Sequence, residues 1–103
     1  MVLCAETGPI CVAYTNGQTI IASVCVNRDY ASGEVTVIAP CGGCQERLVL
    51  WGPEVQVGVP DPTSAVGWSS RSLVDVNPYY WAASQTPDLS WPKPADHEWM
   101  QDV

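Results

Sequence analysis

Positive charge is scarce in this chain. Four lysines and arginines stand against eleven acids, giving a formal net charge of -7 over 103 residues. Binding a polynucleotide means replacing counterions around phosphates with Lys and Arg. DNA and RNA are therefore poor partners for this surface, and an uncharged small molecule is the better expectation. Phenylalanine is absent, and the one histidine, His97, stands in the acidic C-terminal stretch, where solvation is its ordinary fate. No run is long or apolar enough to span a bilayer, so no membrane partner is expected. Only Met1, Val2 and Leu3 precede the first motif, too little for a targeting leader. Cysteine, by contrast, is plentiful at five residues. An odd count with no leader speaks against a disulfide framework, so the thiols are expected to be reduced and the protein cytoplasmic. Nearly half the residues are hydrophobic, which fits one small globular domain. At that size a bound metal helps stability.

The pattern along the chain alternates helix and strand. Residues 4–15 read as a helix with Ile10, Cys11, Val12 and Tyr14 at apolar positions. Pro9 predicts a bend there or a late start, because proline inside a helix removes a hydrogen bond. Asn16-Gly17 is a turn. Residues 18–27 and 35–39 read as strands, 41–51 as a helix stopped by Gly52-Pro53, and 55–59 as a third strand. Residues 60–67 read as loop, and 73–77 as a short helical turn before the aromatic run Tyr79-Tyr80-Trp81. Strands joined through a helix favour an α/β fold with a mixed sheet and helices on its faces. From residue 82 the composition turns to Pro, Ser and acids. Residues 1–81 are thus expected to form the domain and residues 82–103 a flexible tail.

The chemistry lies in two short motifs, Cys4-Ala5-Glu6 and Pro40-Cys41-Gly42-Gly43-Cys44. Each opens a helix-type segment, and helix amino ends favour thiolates. Cys41 and Cys44 fall on one face of a helical turn and can bind one ion, with Cys4 arriving from elsewhere in the fold. Three thiolates hold zinc and leave its fourth position for water. Glu6, two residues from the first ligand, is placed to move protons without binding the metal. This is the arrangement of zinc nucleobase deaminases, in which an activated water attacks a ring carbon bearing an amine. The plain alternative is a structural zinc site closed by a fourth ligand, or buried free thiols. Cys11, Cys25 and His97 are the other candidate ligands, although Cys11 and Cys25 read as ordinary small core residues.

These motifs, followed by Leu48, resemble the cytidine deaminase family, including blasticidin S deaminase, and the three-cysteine set is similar to its small tetrameric branch. The likeness runs from about Val2 to Trp81. It implies a three-layer α/β/α fold, one zinc ion per subunit held by Cys4, Cys41 and Cys44, and Glu6 as proton shuttle in the conversion of cytidine or deoxycytidine to the uracil nucleoside and ammonia. It further implies a homotetramer, backbone contacts to the base edge at Ala5 and Ala39, and an aromatic lid, for which Trp81 is the candidate, sometimes supplied across a subunit boundary. Core or interface packing is the equally ordinary role for Tyr79, Tyr80 and Trp81.

Two departures from the family pattern carry expectations of their own. Relatives place a helix, two strands and a ribose-holding Asn/Glu pair before the first motif, whereas Met1 stands three residues before Cys4 here. An unpaired sheet edge and missing ribose contacts are the expected result. Relatives also often carry Arg directly after the last zinc cysteine, where this chain has Gln45. Arg47 is expected to point elsewhere on the helix, leaving an electron-rich site and weakened catalysis. The rival to a working deaminase of nucleosides or of an antibiotic such as blasticidin S is therefore a catalytically silent zinc domain with an assembly role.

Overall fold

A computed structural model describes residues 4–85 and residue 91. Helix α1 spans Thr7–Thr15. The late start follows from Pro9. With Thr7 first, proline sits in the opening turn, where its missing N–H has no intrahelical partner to lose. The Ile10 N–H donates to the Glu6 carbonyl at 3.0 Å. At the other end Asn16 Nδ2 donates to the Val12 carbonyl at 2.9 Å, and Gly17 turns the chain with φ +66°. Ile10 and Ala13 form the buried face, while Cys11, Val12 and Tyr14 are exposed. The apolar face therefore differs from the expected one by a rotation of the helix, and Cys11 is not a core residue.

The run 18–27 is not one strand. It divides at Val24 into β1 (Ala22–Ser23) and β2 (Cys25–Arg28), which join different sheets. β2 pairs antiparallel with β3 (Val35–Ile38), Cys25 opposite Ile38 and Arg28 opposite Val35. The Asp29 carboxylate organises their turn by accepting from the Ala31 N–H and the Ser32 hydroxyl, both at 3.0 Å. β1 pairs parallel with β4 (Gln56–Pro60), Ala22 opposite Gln56. A parallel pair needs a long crossover, and α2 (Gly42–Leu48), continued by a 3₁₀ turn at Val49–Trp51, lies on it. β5 (Trp68–Ser72), absent from the sequence reading, pairs antiparallel with β4 from Gln56–Ser72 to Pro60–Trp68. The sheet β1-β4-β5 is thus mixed, with β1 and β5 as its edges among the described residues. Helix α3 (Leu73–Val76) follows, capped by Ser72 Oγ, which accepts from the Asp75 N–H.

The β2–β3 hairpin lies over Gly58 of β4. A Cβ there would meet Val24 Cγ2 and Val37 Cγ1 at 3.2 Å each, so glycine lets the hairpin approach. The core joins Ile10 of α1, Leu48 of α2, Val57 of β4 and Leu73 of α3 with Val55, Tyr80, Ala82, Ala83 and Trp91. The expected boundary at residue 82 therefore cuts through the core. Ala82 and Ala83 belong to a second 3₁₀ turn (Trp81–Ser84) and are buried. Trp91 is 3% exposed and packs edge-on against Tyr80 at 5.0 Å. The polar composition around these residues hid three apolar anchors.

Candidate active site

The first residues of α1 and α2 meet. Glu6 is the N-cap of α1, and the Thr7 N–H donates to the Cys4 carbonyl at 3.1 Å, turning Cys4 inward. Cys41 is the extended N-cap of α2, and its carbonyl accepts from the Gln45 N–H at 2.9 Å. The Gln45 side chain donates to the Pro40 carbonyl at 2.9 Å, bracing the turn before the helix. The sulfurs of Cys4, Cys41 and Cys44 consequently lie within 4.8 Å of one another. Sulfurs about 2.3 Å from a common zinc ion stand roughly 3.8 Å apart, so small side-chain rotations close this group around an ion. Soft thiolates are the donors zinc prefers.

Glu6 belongs to the same cluster. It is only 9% exposed, and its Oε2 accepts from the Cys44 thiol at 3.3 Å. Cys4 and Cys41 share a thiol hydrogen bond with sulfurs 3.0 Å apart. In the metal-free chain the thiols are unequal. The hydrogen bond from Cys4, aided by the Cys44 N–H, lowers Cys41 to about 7. Burial and the Glu6 carboxylate push Cys44 far above the ordinary thiol range. Cys41 is the ready thiolate, whereas Cys44 keeps a proton that a cation must displace.

A cleft of about 320 Å³ opens beside this cluster. Ala5, Glu6, Pro9 and Ile10 form one wall, and Ile20 and residues 22–25 the other. Part of that second wall is β1, an edge strand of its sheet among the described residues.

The structure thus brings Cys4, Cys41 and Cys44 together with Glu6, and Glu6 and Ala5 line the cleft beside them. Ala39 is exposed, just before the buried Pro40, and does not line the cleft. Trp81 does not reach it either. Its indole is 67% exposed, and its Nε1–H donates to Glu46 of α2 at 3.1 Å, beside the Tyr80 hydroxyl on the same carboxylate. Glu46 holds both rings against α2, so within one chain Trp81 is no lid. Two residues near the cluster were misjudged from sequence. Cys25 is half-buried in the cleft wall rather than an ordinary core residue, and burial together with the facing Glu6 raises its thiol pKa. Its strand register alone carries that information, and the division at Val24 concealed it. Arg47 does not point away: its Nη1 lies 4.0 Å from Cys44 Sγ, because residues three apart share a helix face. His97 lies outside the described residues.

No family model matches the chain, and neither does any curated protein. Among solved structures it is similar to the cytidine deaminase from Bacillus anthracis, with a TM-score of 0.72 and 36% sequence identity. The match covers 81% of this chain and 58% of that one, so the chain spans less than two thirds of that deaminase. It has the cytidine deaminase fold, with a mixed sheet and a three-cysteine group able to bind zinc at its helix starts.

Proposed function

We propose that the chain is a zinc-dependent hydrolytic deaminase acting on a free cytosine nucleoside. The observation that carries this is the Glu6 carboxylate, nearly buried, beside a three-thiol group at the wall of an open cleft. Cys4, Cys41 and Cys44 would hold the ion, and zinc supplies Lewis acidity that makes a water molecule acidic near neutral pH. On ligating the ion Cys44 would give up its proton, and Glu6 would then be free of the thiol hydrogen bond it accepts. Glu6 would accept one proton from the water and pass it to the ring nitrogen, then take the remaining proton from the new C4 hydroxyl and deliver it to the departing amine. The oxygen of water becomes the C4 carbonyl oxygen, the C4–N bond breaks, and ammonia leaves with the uracil nucleoside. Ala5 lines the cleft, and its backbone would read the base edge. The Ala39 backbone would serve the same end from the α2 side.

Ile21 and Val24 flank β1, and Val26, Val35 and Ile38 lie on the hairpin; all are exposed, as are Tyr79 and Trp81 beyond α3. Exposed apolar surface favours association. A homotetramer would cover such surface and allow Trp81 to close another subunit's cleft. The acidic charge disfavours nucleic acid, and no helix among the described residues is long and apolar enough to cross a membrane. A cytoplasmic site of action fits the five free thiols.

A catalytically silent zinc domain is the second reading, favoured by a cleft wall built on β1, an edge strand among the described residues. Ammonia release from cytidine, deoxycytidine and blasticidin S by zinc-quantified protein separates the two. Turnover of either nucleoside supports the proposal. Turnover of blasticidin S alone would reassign the substrate, and full zinc loading with no turnover of any of the three would favour the silent domain.

A further inference from the structure

Three thiolates on a divalent zinc ion leave one negative charge in excess. An electron-rich ion of this kind holds its ligands less tightly and makes a bound water less acidic, so nearby positive charge matters. Gln45, next to the last cysteine, brings no charge, and its amide is already engaged by the Pro40 carbonyl. Arg47, one helical turn beyond Cys44, reaches back with Nη1 at 4.0 Å from Cys44 Sγ. The same Nη1 lies 3.8 Å from the point where a Cβ would stand on Gly43, and Cys41 Sγ lies 3.9 Å from that point. The guanidinium therefore lies against Cys44, on the flank of α2 where Cys41 Sγ also approaches Gly43. Only four lysines and arginines occur in the chain, and Arg71 is engaged elsewhere, with Asp61 at 3.9 Å.

We infer that Arg47 is a positioning residue for the metal centre. Its charge offsets the thiolates of Cys41 and Cys44 and supplies what Gln45 lacks. The inference rests on the zinc-site reading above. A cation near the end of α2 also suits the helix dipole, but that role would change fold stability and leave the zinc affinity of the folded protein untouched.

The test is zinc affinity of the full chain by chelator competition, for wild type, Arg47→Gln and Arg47→Lys, at low and high salt. Cobalt(II) spectra of each confirm that the ligand set is unchanged. Arg47→Gln is expected to weaken zinc binding about tenfold at low salt. Arg47→Lys should keep most of the affinity, and the gap between wild type and Arg47→Gln should narrow at high salt, because Arg47 is exposed and its charge is screened. Equal affinity of wild type and Arg47→Gln would overturn the inference alone, as would a lysine variant as weak as the glutamine one. A wild type that binds no zinc would overturn the site reading and this inference with it.

Discussion

At the scale of single residues, function turns on how one carboxylate and three thiols divide their protons. Cys41 is lowered to about 7 in the metal-free chain, chiefly by the Cys4 thiol. A depressed thiol stabilises the fold while ionised, so this contribution is present above the ordinary value of 9.0 and disappears as pH falls through about 7. Alkylation of the metal-free chain should accordingly label Cys41 with a midpoint near 7, while buried Cys44 stays unlabelled. Zinc should protect both. Labelling of Cys44 before Cys41 would show that the cluster is ordered differently. The two motifs were legible because short covalent spacing makes Cys41 and Cys44 share one helical turn wherever the helix goes. Arg47 and Cys25 were not, since their places depend on a side-chain rotamer and on where a strand divides.

At the scale of elements, close approach decides the architecture. The hairpin of β2 and β3 can lie on β4 because Gly58 has no side chain. Gly58→Val should strain that contact and cost about 1–3 kcal/mol, read from the denaturant midpoint, whereas an unchanged midpoint would mean that the hairpin does not rest there. α1, α2, β3, β4 and α3 could be read from the sequence to within a few residues, because each has an apolar pattern or a clear stop signal such as Gly52-Pro53. β5 could not. Its residues Ser69, Ser70 and Arg71 are polar because it is a sheet edge, and its pairing with β4 is made by the backbone. The division of 18–27 was equally hidden, since apolar residues run straight through Val24 while the two halves join different sheets.

At the scale of the whole molecule, the core closes only when residues beyond the aromatic run are included. Trp91 packs on Tyr80, whose hydroxyl is tied to Glu46 of α2. Trp91→Ala should therefore cost about 3–5 kcal/mol, and a chain ending at Trp81 should be still less stable, with the denaturant midpoint as the measure. A truncated chain as stable as the whole would restore residues 82–103 to the status of a tail. The exposed apolar residues flanking β1 and on the hairpin lead to a second expectation, that light scattering finds a mass above the 11.1 kDa of one chain. A strictly monomeric protein would leave Trp81 without a cleft to close. The central claim nevertheless belongs to Glu6. The most direct measurement compares ammonia release from cytidine by wild type and Glu6→Gln, each with zinc content determined. The account predicts about one zinc ion per chain in both, turnover in the wild type, and at least a hundredfold loss, roughly, in the variant. A variant that turns over at the wild-type rate, or a zinc-loaded wild type that releases no ammonia, would contradict it.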